Sequence, residues 1–106
     1  MTFDIDATLD EMVRATSGAL GRTWTDVGPC VQRAIQNERA ALEAIARKRV
    51  SNEITDEDVR EQLTFEKEAL EAELLACRVA SQVAAQNAVN AALDVLTAAI
   101  RKAVSL

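Results

Sequence analysis

The acidic side chains in the second half of the chain are the residues whose types and spacing could do chemistry. Glutamates recur every two or three positions, at Glu66, Glu68, Glu71 and Glu73. Glutamates on paired helices can bind divalent metal ions, and di-iron bundles combine them with Glu-x-x-His motifs. The sequence contains no histidine, which excludes that ligand set and also cysteine catalysis of the Cys–His kind. The spacing therefore favours a solvated helix surface, and we predict no metal site and no cofactor.

A second acidic run, from Ile54 to Val59, has the pattern of a helix start. Thr55 is a favoured N-cap residue, and Asp58 stands three places later, as in a capping box. Ile54 and Val59 have the spacing of a hydrophobic staple. The acids between them fall in the first turn, where the helix dipole favours negative charge. The run therefore predicts a helix N-terminus rather than an ion site.

The segment Glu68-Ala-Leu-Glu71 resembles one half of the metal-binding pattern of the MazG-type all-α nucleotide pyrophosphohydrolases. The resemblance implies an oligomeric enzyme that holds magnesium through glutamates on paired helices, with Glu68 and Glu71 in that role. The second half of the pattern should supply further acids later in the chain. That region offers Asn87-Ala-Val-Asn90, which has amides in place of carboxylates. A magnesium-dependent pyrophosphohydrolase is therefore kept as an alternative function.

The composition predicts that these residues stand on helices. Hydrophobic residues make up 49% of the chain, and there are only three glycines and one proline. Few breakers favour helix over sheet, and the apolar spacing follows a helical period. We predict a single all-α domain over residues 1–106, with helices at about 7–20, 27–50 and 56–104. The third helix meets no glycine or proline and would be unusually long.

The second and third predicted helices should form an antiparallel hairpin around a turn near residue 52. Facing residues of such a hairpin have numbers with a constant sum, and four pairs satisfy this condition. One of them is charged and should be an ion pair that penalises a shifted register. Cys30 and Cys77 fall at a similar height, where we expect two buried thiols rather than a disulfide. The four register pairs are Val31 with Leu74, Ile35 with Leu70, Leu42 with Leu63, and Glu38 with Lys67.

The C-terminal third carries apolar residues on more than one helix face. A helix of this kind must be buried on several sides, and the short N-terminal helix is too small to cover it. We therefore predict self-association, most simply a two-fold dimer that completes a coiled-coil-like bundle. Gln82, Gln86 and Asn90 form a polar stripe that could be exposed, cross an oligomer interface or bind a ligand. The predicted interface residues are Val83, Ala84, Ala88, Ala91, Ala92, Val95 and Leu96.

Charge and hydropathy limit the classes of partner. The formal net charge of −5 opposes binding to nucleic acid and to anionic membranes. The first residues are acidic, unlike a signal peptide, and the uncharged run from Val79 to Leu93 is too short to span a bilayer, so we predict a cytoplasmic protein. The favoured function is a non-enzymatic helical assembly or protein-interaction module that acts as a homo-oligomer. A small acidic regulator that binds another protein is a further alternative.

Overall fold

The computed structural model describes residues 3–105 and shows an all-α bundle, which confirms the predicted fold class. Met1, Thr2 and Leu106 lie outside the described residues. No strand occurs within residues 3–105. A short 3-10 turn, Gly21–Thr23, joins the first two helices. The helices are α1 (Ile5–Leu20), α2 (Trp24–Asn37), α3 (Arg39–Val50), α4 (Asp56–Ala76) and α5 (Gln82–Ser105).

The five helices form a bundle of four arms, which are α1, the pair α2–α3, α4 and α5. The α2 and α3 helices count as one arm because they meet end to end at Glu38. The predicted helix at 27–50 is thus two helices with a junction at one residue. The α1 helix packs mainly on α5, while α4 contacts α2, α3 and α5. The hydrophobic core lies between these arms and draws residues from every helix.

The start of α4 confirms the capping box predicted at Thr55. The backbone amide of Asp58 donates to the Thr55 hydroxyl at 3.2 Å, and the Thr55 amide donates to the Asp58 carboxylate at 2.9 Å. Val59 is buried and Ile54 is half-buried against the core, as the staple requires. An ion pair of 2.7 Å between Arg49 and Asp56 neutralises the tip of the hairpin.

The predicted third helix is wrong in one respect, because it ends at Ala76 and the chain reverses over residues 77–81. An uninterrupted helix from 56 to 104 would be about 73 Å long. The longest dimension of the bundle is 39 Å. The C-terminal residues therefore return as a separate helix, α5, which packs beside α4.

A Schellman motif produces this reversal. The amide of Arg78 donates to the carbonyl of Leu75 at 3.0 Å, and the amide of Val79 donates to that of Leu74 at 3.3 Å. Arg78 has a φ of 66°, in the left-handed region that this motif normally gives to glycine. Val79 is buried beneath the turn. The end of α4 could not be predicted from the sequence, because the residue in the left-handed conformation is arginine and not glycine.

The reversal allows one copy of the chain to cover the apolar face of α5. That face lies against α1 and α4, so one copy buries most of the apolar residues on which the predicted self-association rested, and self-association itself stays a prediction. By length and composition α5 could cross a bilayer, a test that the core helices of soluble proteins also pass. The buried residues of α5 are Ala85, Ala88, Val89, Ala92, Leu93, Leu96, Ile100 and Ala103.

A disulfide bond joins Cys30 on α2 to Cys77 at the end of α4, with the two Cα atoms 5.7 Å apart. The prediction that these residues lie at a similar height on adjacent helices is confirmed. The expectation of two free thiols is wrong, since both sulfur atoms are bonded to each other. The bond spans 47 positions of sequence and fixes the end of α4 on α2.

We expect reduction of this disulfide to lower the free energy of unfolding by about 4 kcal/mol, because the bond restricts a long loop of the unfolded chain. Urea unfolding followed by far-UV circular dichroism, with and without dithiothreitol, measures the difference. The double variant Cys30→Ala/Cys77→Ala is the control, because reductant should not change its unfolding. Equal stability of the oxidised and reduced protein would contradict the prediction.

Candidate functional site

The six apolar residues of the predicted hairpin register all lie in the core. Each is buried and belongs to the same hydrophobic cluster. The α2 and α3 helices both contact α4, as a hairpin requires. The individual pairings between them stay predictions. The residues are Val31, Ile35, Leu42, Leu63, Leu70 and Leu74.

The charged pair of the predicted register does not form. Glu38 lies close enough to Glu66 and Glu73 to affect the pKa of both carboxyl groups, and the ion pairs among residues 3–105 do not include Glu38 with Lys67. Lys67 instead lines a cleft between α4 and α5 beside Asp94. Adjacent helical residues point about 100° apart, so Glu66 faces Glu38 while Lys67 faces α5. The constant sum predicts height along the helices and not this rotation.

Glu38, Glu66 and Glu73 form a cluster of three carboxyl groups at the junction of α2, α3 and α4, which we call the carboxyl cluster. Burial is the main cause that raises the pKa of Glu66, and a hydrogen bond and the negative charge of Glu38 add to it, so the pKa reaches about 7. Burial and Glu38 also raise the pKa of Glu73. The cluster therefore retains protons at pH values where exposed glutamates have lost theirs.

The hydrogen bonding of the carboxyl cluster depends on such a proton. Oε2 of Glu66 and Oε2 of Glu73 are buried and have no donor when all three groups are ionised. A hydrogen bond between Glu38 and Glu66 requires that one of the two carries a proton. Protonation therefore relieves charge repulsion and satisfies a buried acceptor in one step.

Within residues 3–105 no group of three histidine, cysteine, aspartate or glutamate side chains is placed so that it could hold a metal ion. Glu68 is exposed, and Glu71 is half-buried with Oε1 lacking a donor. Asn87 and Asn90 are exposed on α5. The geometry thus gives no support to the magnesium enzyme suggested by the resemblance.

The predicted oligomer-interface residues separate into three groups on α5. Ala88, Ala92 and Leu96 are buried within the copy, and Val83 is 64% exposed. The remaining three, Ala84, Ala91 and Val95, are half-buried, and Val95 lines a cavity of about 440 Å³ between α1 and α5. In the polar stripe, Gln82 and Asn90 are exposed and Gln86 is half-buried.

The side of α4 that faces away from the bundle carries an apolar row that the sequence reasoning missed. Phe65 is 73% exposed, the highest value among the large hydrophobic residues of the described chain. Ala69, Ala72 and Ala76 are also exposed and follow it at the spacing of one helix face. We call these four residues the outer row of α4. A helical projection of the segment could have found it, because Phe65 stands opposite Leu63, Leu70 and Leu74.

Comparison with known proteins gives no match: no family model, curated protein or solved structure is significantly similar to this chain. The carboxyl cluster and the outer row of α4 are the two features of the described residues that bear on function.

The carboxyl cluster should make stability depend on pH. A carboxyl group with a raised pKa in the folded state stabilises the fold when protonated, and this contribution is lost as the pH rises from about 4.5 to about 7. Glu66→Gln should therefore stabilise the protein at pH 8 and leave it unchanged at pH 4. The gain should be about 1 kcal/mol, since partial exposure of the side chain screens the effect.

Chemical denaturation of the wild type and Glu66→Gln over this pH range measures the difference. Glu68→Gln is the matched control, because it makes the same substitution at an exposed position on the same helix, outside the carboxyl cluster. Identical pH profiles for the wild type and Glu66→Gln would show that the cluster holds no proton.

Proposed function

We propose that this protein is a non-enzymatic protein-interaction module that binds a helix of a partner protein along the outer row of α4. The observation that carries the proposal is Phe65, a large aromatic side chain that is 73% exposed in the middle of a helix. Aromatic residues at such positions are typical centres of protein interfaces. The alanines that follow would let a partner helix approach α4 closely.

The size of the surface supports a binding site of moderate strength. Full burial of the Phe65 ring would contribute about 2 kcal/mol. Leu75 is 43% exposed near the end of the row and would extend the contact. Phe65 plays no part in the core, so its position is explained by binding better than by folding.

The charges beside the row indicate the kind of partner. Glu61 and Glu68 are exposed along one edge, whereas Arg60 and Lys67 lie on the α5 side of the helix. A second copy packed face to face would bring carboxylates against carboxylates, which is unfavourable. An amphipathic helix with lysine or arginine beside a small apolar stripe fits both the shape and the charge. The proposal thus favours the acidic regulator among the alternatives, while self-association stays a prediction.

A synthetic helical peptide tests this surface. It carries alanine and leucine along one stripe and lysines on both edges, and a second peptide replaces every lysine by glutamate. We expect the lysine peptide to bind and the glutamate peptide not to bind, because the edge of α4 is acidic. Isothermal titration calorimetry at two salt concentrations measures the affinity of both peptides. Added salt should weaken the binding of the lysine peptide.

Two variants decide whether the binding uses the proposed row. Phe65→Ala should lower the affinity for the lysine peptide by about tenfold. It should change the free energy of unfolding by less than about 0.5 kcal/mol. Val83→Ala is the matched control, because Val83 is a similarly exposed apolar residue on α5. Equal losses for the two variants, or equal binding of the two peptides, would overturn the proposal.

A further inference from the structure

We infer that α5 can be exchanged between two copies of the chain, with residues 77–81 opening into a continuous helix. In the exchanged dimer, α5 of each copy packs on α1 and α4 of the other. The contacts that now cover α5 would be formed again between copies. This inference does not depend on the proposed binding surface of α4.

The connector between α4 and α5 contains a conformation that the open form would release. Arg78 has a φ of 66°, and a side chain other than glycine is strained there. The same conformation occurs at Asn52 in the turn after α3, where asparagine tolerates it better. A continuous helix would return Arg78 to the right-handed region.

Nothing in the sequence of the connector prevents that helix. Residues 77–81 read Cys-Arg-Val-Ala-Ser and include neither glycine nor proline. The sequence pattern predicts one helix over 56–104, and the open form contains that continuous helix. Short connectors with strained residues are the usual hinges of exchanged dimers.

Local contacts favour the closed form in a single copy. Val79 is buried beneath the turn, and the Ser81 hydroxyl accepts a hydrogen bond of 3.0 Å from the amide of Ala84 at the start of α5. Opening loses these contacts. The contacts of Ala88, Ala92 and Leu96 on α5 are formed again with the other copy. The balance is therefore set by a few connector residues and by protein concentration.

The disulfide does not oppose the exchange. Cys30 and Cys77 both precede Arg78, so the bond stays within each copy when α5 moves. The exchanged dimer should therefore migrate as a single chain in denaturing electrophoresis without reductant. This separates it from a dimer linked by mispaired cysteines.

Variants of the connector should shift the equilibrium in opposite directions. Arg78→Val combined with Ser81→Ala disfavours the turn and removes its cap, so the dimerisation constant should rise by about tenfold or more. Arg78→Gly removes the strain and should lower it below that of the wild type. Sedimentation equilibrium after refolding at high protein concentration measures all three proteins, and circular dichroism verifies that each is folded.

A cross-link between α1 and α5 shows whether the dimer is exchanged. Asp4 at the start of α1 and Lys102 near the end of α5 line the same cavity, and their opposite charges favour the contact that a carbodiimide converts into an amide bond. Equal amounts of light and heavy nitrogen-labelled wild type are refolded together, and the dimer and monomer fractions are cross-linked and digested. We expect mixed-label Asp4–Lys102 peptides in the dimer and only single-label peptides in the monomer.

The inference is overturned if the dimer gives only single-label cross-links, because α5 then remains in its own copy. It is also overturned if the wild type refolded at high concentration forms no dimer, whatever the folding state of the double variant. A dimer suppressed by Arg78→Gly that carries mixed-label cross-links supports it.

Discussion

The reversal of the chain between α4 and α5 is the constraint on which the rest of the structure depends. The Schellman motif at Arg78 and Val79 brings a strongly apolar helix back onto α1 and α4. It lets one copy bury residues that would otherwise require a partner. It also turns one side of α4 toward α5 and another toward α2 and α3, which leaves the outer row as the free side.

The rotation of α4 set by this packing explains the two features that bear on function. Glu66 and Glu73 come to face Glu38 at the junction of α2 and α3, where burial and mutual repulsion raise the pKa of both. Phe65, the residue before Glu66, points away from the bundle. The same helix therefore combines a carboxyl cluster with raised pKa values and an exposed aromatic ring that lies outside the core. Positions of this kind often serve binding rather than folding.

Local signals in the sequence predicted much of the fold. The capping box at Thr55, the helical hairpin and the similar height of Cys30 and Cys77 follow from residue types and spacing, and all occur in the structure. The reversal after α4 could not be predicted, because its strained position is occupied by arginine and not by glycine. The predicted pairing of Glu38 with Lys67 failed, because a constant sum of residue numbers predicts the position of a residue along the helix axis. It does not predict the direction in which the side chain points. The disulfide contradicts the expectation of free thiols, and the cytoplasmic location stays a prediction.

The reversal itself can be measured directly by nuclear magnetic resonance on the monomeric fraction. Val59 and Leu63 at the start of α4 line one cleft with Ile100 near the end of α5. The structure predicts methyl–methyl NOEs between these two segments, together with a break in the helical chemical shifts at residues 77–81. A continuous helix would place Leu63 and Ile100 about 55 Å apart. The absence of those NOEs, with helical shifts running through Arg78, would contradict the account.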